Sequence, residues 1–289
     1  MNEDNRSRPK KTAVGEQRLL PLSVWLCCDA ETYGQAGAVG GEKVCDRHRM
    51  GVGRELARHL IEGCTRQGGT VGEVFTNSES VLVTAAEAGR RVVGCVPHLP
   101  LAQHLRGKLR RSLPAERRGA VRLRPFGPRD LAEAMAVAAG GVDLLIAALP
   151  PYLGKTAGAA PTTCRSCVSE QKVEMPPLDR LLKDAAAVLS PGGHLAVITG
   201  ARYEPDRRVD PAPEVIGLAE RSGLVYRQHV IALRVPVEGD TLVVEAGPQQ
   251  LAQLRKPASA TLPQVVSVHA DVCLFTLDGS RGDGLGGGR

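Results

Sequence analysis

The most explicit chemistry in this 289-residue chain sits at the end of one apolar run. Val142 to Ala148 has the composition of a buried strand, and it stops at Leu149-Pro150-Pro151-Tyr152. Two prolines fix the backbone there, so the tyrosine ring leaves the strand in a set direction. Tyr152 can stack on a planar base while the Pro150 carbonyl accepts from that base's amino group. The same four residues can also be a rigid strand end whose ring packs under the next loop, and both readings stay open. A second group is built on sulfur: Cys164-Arg165-Ser166-Cys167 in the following loop, and Cys45-Asp46-Arg47-His48 near the start. Together they have the ligand types of a four-coordinate zinc site, but no spacing rule joins them. A thiol redox pair and plain thiols are the other readings, and no metal is assigned.

A third group is basic. Arg106, Lys108, Arg110 and Arg111 fall on one helical pattern, and Arg117, Arg118, Arg122 and Arg124 follow closely. The whole chain holds 37 Lys plus Arg against 31 Asp plus Glu, a net charge of +6. A patch of this kind can contact the phosphates of DNA or RNA, or can simply be a solvated helix and loop. Hydrophobic residues make up 43% of the chain, enough for a core and against wholesale disorder. No stretch approaches the ~20 apolar residues that cross a bilayer. Met1 to Lys11 is polar, without the apolar centre of a secretion signal. The eight cysteines are scattered rather than framed as a disulfide scaffold. A soluble, cytoplasmic protein with reduced thiols and no membrane contact is expected; its oligomeric state is left open.

These residues must be positioned by alternating strands and helices, the pattern of an α/β fold. Periodicity predicts helices over Val52–Gly63, Ser80–Ala88, Leu101–Leu113, Asp130–Ala139, Leu178–Leu189 and Pro213–Ser222. It predicts strands over Thr70–Phe75, Arg91–Val96, Ala120–Arg124, Val142–Ala148, His194–Thr199, Leu224–Val235, Thr241–Glu245 and Val265–Leu277. Residues 1–18 are expected to be a flexible arm, 19–277 one domain with a long loop over 153–177, and 278–289 a glycine-rich tail.

Several of these segments resemble one family. Leu181 to Thr199, with its Pro191-Gly192-Gly193 turn, resembles the helix, turn and fifth strand of class I S-adenosylmethionine-dependent methyltransferases. Arg54 to Ile61, Gly72 to Gly94, Ser23-Val24-Trp25-Leu26, Val268 to Phe275 and the Pro-Pro-Tyr loop are similar to parts of the bacterial DNA amino-methyltransferases. The resemblance implies a Rossmann-like domain: a mostly parallel, seven-stranded sheet with helices on both faces. It also implies S-adenosylmethionine as cofactor, and DNA or RNA base amino groups as the ancestral substrate.

At the positions the family uses, this chain carries other side chains. Glu73 stands for a leading aspartate, with Phe75 two residues on. Asn77 and Glu79 replace two glycines of the turn that packs against the cofactor. Val96 stands where an acid holds the ribose hydroxyls. Gly127 stands where an acid meets the adenine amino group, with Asp130 three residues later. Leu149 replaces the Asp, Asn or Ser that accepts from the target amino group. The expectation is a methyltransferase-family protein with weak or absent turnover. A non-catalytic nucleic-acid-binding or scaffold protein, and a methyltransferase acting on a small-molecule or protein amine, are the alternatives.

Overall fold

Runs of Val, Leu and Ile without polar alternation form strands buried on both faces, as parallel sheets require. The computed structural model describes residues 23–28, 52–96, 99–125, 131–138, 140–149, 177–200, 202–204, 207–235, 237–239, 241–242 and 269–278. The strands are β1 (Val24–Leu26), β2 (Thr70–Val74), β3 (Arg91–Val96), β4 (Val121–Pro125), β5 (Val142–Ala148), β6 (Leu189–Thr199), β7 (Arg202–Glu204), β8 (Arg207–Val209), β9 (Leu224–Leu233), β10 (Val237–Glu238), β11 (Thr241–Leu242) and β12 (His269–Leu277). The helices are α1 (Arg54–Cys64), α2 (Ser80–Glu87), α3 (Leu99–Ser112), α4 (Ala115–Arg118), α5 (Leu131–Met135), α6 (Leu178–Val188) and α7 (Ala212–Arg221).

The main sheet has eight strands in the order β1-β9-β12-β6-β5-β2-β3-β4. That corrects the expected seven: β1 adds itself in parallel to the outer edge of β9. The sheet is also mixed, because β12 runs antiparallel to both β6 and β9. Its other described pairings are parallel. From β2 the chain steps outward to β3 and β4, then returns to the other side of β2 for β5 and β6. This reversal makes a doubly wound sheet, and ligands in such sheets bind where the order reverses, beyond the carboxyl ends of the strands.

Each face of the sheet has its own core. Leu56, Leu60 and Ile61 of α1 pack on one face with Val81 and Leu82 of α2, Leu109 of α3 and Leu113 just after it. On the other face Leu131 of α5, Leu181 and Leu182 of α6 and Val215 of α7 pack with Val74, Leu145 and Phe275. The helices therefore lie on both sides, as the alternation implied.

Other boundaries moved for local reasons. The helix expected over Asp130–Ala139 is confined to Leu131–Met135 among the described residues, and Gly140 and Gly141 with φ +90° and +91° turn the chain into β5. β6 begins at Leu189 rather than His194, because the Pro-Gly-Gly segment stays in the ladder as an irregularity opposite Val142–Leu144. Gly193 is required there: a Cβ would lie 2.8 Å from the Ser190 carbonyl oxygen and 2.9 Å from that of Val142. Two small antiparallel pairs, β7 with β8 and β10 with β11, complete the described structure. The proposed arm and the 153–176 part of the loop fall outside the described residues, as do 279–289 of the tail.

Candidate functional site

The crevice at the reversal point is framed by the ends of β2, β3 and β5. β2 ends in Glu73-Val74, and Glu73 pairs with Gly94 of β3 on one side and Ile146 of β5 on the other. A parallel strand at the centre of a sheet has no solvent face, so the carboxyl is enclosed at 2% exposure. One of its oxygens, Oε2, has no hydrogen-bond partner. Loss of water pushes its pKa up to about 8, while a hydrogen bond from Thr76 works in the other direction. At pH 7 the group is therefore mostly neutral. Gly94 is what leaves room beside it, since a Cβ there would lie 3.0 Å from Thr76 Oγ1.

Beyond β2 the chain turns at Phe75, whose φ of 62° is left-handed, a region that bulky side chains rarely enter. The turn shape that glycine would give is thus made without glycine. Thr76 donates its backbone N–H to the Cys95 carbonyl at 2.9 Å, tying the turn to β3. Asn77 is half-buried. Glu79 stands just before α2, makes no capping hydrogen bond, and directs its carboxylate to Lys108 of α3, with Oε2 to Nζ at 3.0 Å. One of the four basic residues expected to meet phosphate is therefore spent on an internal ion pair beside the turn.

The other strand ends are apolar and shut. Val96, at the end of β3, is fully buried and packs with Ala102 and Leu105 of α3. Leu149, after β5, is 8% exposed, belongs to the core under α6, and donates its N–H to the Ile198 carbonyl at 2.9 Å. Thr199, ending β6, carries a second buried oxygen without a partner. The Pro150, Pro151 and Tyr152 positions lie outside the described residues, as do Gly127, Cys45, His48, Cys164 and Cys167. The described cysteines, Cys27, Cys28, Cys64, Cys95 and Cys273, form no disulfide with one another. Burial raises Cys64 to about 11, and Cys95 and Cys273 to about 12, so these three are poor nucleophiles.

Other histidines have structural work. His59 stacks on Trp25 with ring centroids 5.4 Å apart, and His229 meets Asp271 at 3.0 Å.

The basic residues collect elsewhere, around a cleft of about 530 Å³ between α3 and β4. Arg106 and Arg110 reach it from the helix, Arg122 and Arg124 from the strand, and Arg118 from α4. Arg111 is exposed on α3 and does not line it. The contribution of β4 could have been anticipated from the alternation Val121-Arg122-Leu123-Arg124; that β4 ends the sheet could not, because strand order depends on crossovers.

Against known proteins, no family model and no curated protein sequence matches this chain. Solved structures with a similar arrangement include several methyltransferases and a [4+2]-cyclase, SpnF. TrmN from Thermus thermophilus is 18% identical with a TM-score of 0.43 over 78% of this chain, which spans about half (48%) of that protein's length. A TehB-like SAM-dependent methyltransferase from Corynebacterium glutamicum is 14% identical, TM-score 0.42, covering 77% of this chain and 87% of that one. Precorrin-6y C5,15-methyltransferase from Geobacter metallireducens is 10% identical, TM-score 0.46, covering 87% and 97%. Likeness at this level leaves the chemistry to be decided by the chain's own residues.

S-adenosylmethionine presents a cationic sulfur, a ribose diol and an adenine edge, each in need of a polar partner. The described strand ends do not fit it. Val96 cannot accept from the diol, Glu73 is enclosed and mostly neutral, and Leu149 cannot accept from an incoming amino group.

Proposed function

We propose that this chain is a methyltransferase-fold protein of nucleic-acid amino-methyltransferase descent that holds other molecules without transferring methyl groups. The observation that carries this reading is the burial of Glu73, Val96 and Leu149 at the three strand ends that frame the crevice. Each lost polar contact to a ligand typically weakens binding by about 1–3 kcal/mol. Three such losses remove most of the roughly 8 kcal/mol that micromolar affinity represents. The expected result is no measurable heat when S-adenosylhomocysteine is titrated into the protein at millimolar concentration. Micromolar binding would overturn the reading.

One alternative has a specific observation behind it. Phe75 keeps a left-handed turn, and Glu73 Oε2 lacks a partner, as a residual donor site would leave them. That reading is a slow amino-methyltransferase. Transfer of labelled methyl to DNA, RNA or small amines separates these substrates from one another, and no transfer to any of them supports the non-catalytic reading.

A further inference from the structure

We propose that the outer edge of β4 is a docking site for an acidic, extended polypeptide that joins the sheet as an added strand. The inference stands independently of whether the crevice over β2 turns over a cofactor.

The shape of the cleft leads to this. Val121, Arg122, Leu123 and Arg124 all line it. Successive side chains of a strand point to opposite faces, so four in a row can touch one cleft only if it follows the strand's edge. β4 is the last strand of the sheet and pairs only with β3 among the described residues. Its outer edge therefore offers a row of backbone donors and acceptors, the template used in strand addition.

The charge is one-sided. Arg106 and Arg110, one turn apart on α3, approach from one side of the edge. Arg122 and Arg124, two residues apart on β4, approach from the other: Arg124 acts electrostatically on Cys95, which lies in the core opposite α3. Among the described residues no acidic side chain lines the cleft, and these four guanidinium groups have no carboxylate partner. Arg118 is different, since its Nε and Nη2 donate to the Leu113 and Arg110 carbonyls at 2.9 and 2.7 Å and so stiffen the end of α3. Arginines on an edge strand by themselves would serve to keep sheet edges apart. Arg106 and Arg110 come from a helix that has no such edge, yet converge on the same groove.

The chemistry selects a peptide. Residues two apart on a strand repeat every ~6.6–6.8 Å, so acids at alternate positions of an added strand would fall in step with Arg122 and Arg124. Arginine and carboxylate can pair through two parallel hydrogen bonds. Leu109, Leu113, Leu123 and Val137 supply apolar wall for the intervening side chains. Unpaired nucleic acid is usually held by aromatic rings that stack on bases, and among the described residues no aromatic side chain lines this cleft.

The test uses the full chain and fluorescence anisotropy with a short labelled peptide alternating glutamate and valine. Saturable binding is expected, weakened about tenfold or more by Arg106→Glu with Arg110→Glu. Methylating alternate backbone nitrogens of the peptide, which blocks strand pairing but not charge, should weaken it to a similar degree. Arg122→Ser, at an exposed position, serves as a milder variant, and circular dichroism checks that each variant is folded. Absence of binding overturns the proposal. So does equal binding of the methylated peptide, which would mean charge alone, or tighter binding of a single-stranded oligonucleotide lost on the same variants, which would make the groove a nucleic-acid site.

Discussion

The crevice over β2, β3 and β5 and the outer edge of β4 lie one strand apart, and their polar groups are arranged in opposite ways. In the crevice the one described acid on β2 is walled in, and its neighbours Val96 and Leu149 belong to the cores. At the edge, four cations stand around a cleft with no carboxylate partner among the described residues. Both regions belong to one continuous sheet, so the difference lies in side chains rather than strand order. A fold can thus lose the polarity of one binding place and carry strong polarity at another without a change of strand order.

The contrast can be broken most severely at Leu149. Leu149→Asp should restore an acceptor if the crevice is open, and raise methyl transfer to nucleic acid. Because the residue is enclosed in the core, the expected outcome is instead a loss of about 3–5 kcal/mol in denaturant unfolding with no gain in transfer. Glu73→Gln sharpens the same contrast with opposite sign. An acid whose pKa rises from 4.5 unfolded to about 8 folded keeps its proton in the native state. Its stability contribution is full below pH 4.5 and is lost as pH rises toward 8 and above. The variant should be more stable than the parent by roughly 3–5 kcal/mol at pH 8, with little difference at pH 4, as read by urea midpoints across pH. If the parent shows no fall in stability between those values, Glu73 is solvated and the crevice is open after all. The smallest effect belongs to the edge. Arg110→Ser with Arg122→Ser removes two exposed, mutually repelling charges, and stability should change by less than about 0.5 kcal/mol. A large loss there would mean that the arginines are structural rather than available to a partner.

Much of this arrangement was legible in the chain. Arg91–Val96 and Val142–Ala148 stand where the apolar runs and their flanking Gly and Pro placed them. The absence of an acceptor at Val96 and Leu149 was equally plain, since side-chain identity decides it. What could not be read was direction and neighbourhood. Glu73 stood in the sequence as an acid that water might bridge to a ligand; only the pairing of β2 between β3 and β5 encloses it. Lys108 looked like its arginine neighbours until the packing of α2 against α3 gave it Glu79. The eighth strand's place beside β9 could not be read, because Val24–Leu26 is three residues long, too short for any period.

That short strand has a practical consequence. Trp25 is the sole tryptophan of the chain, and it rests on His59 of α1 where β1 joins the outer edge of β9. Intrinsic tryptophan emission from this protein therefore watches a single seam of the sheet. Light from that seam and circular dichroism from the whole domain report different events, so a mismatch between the two melting curves would time the peeling of β1 from everything behind it.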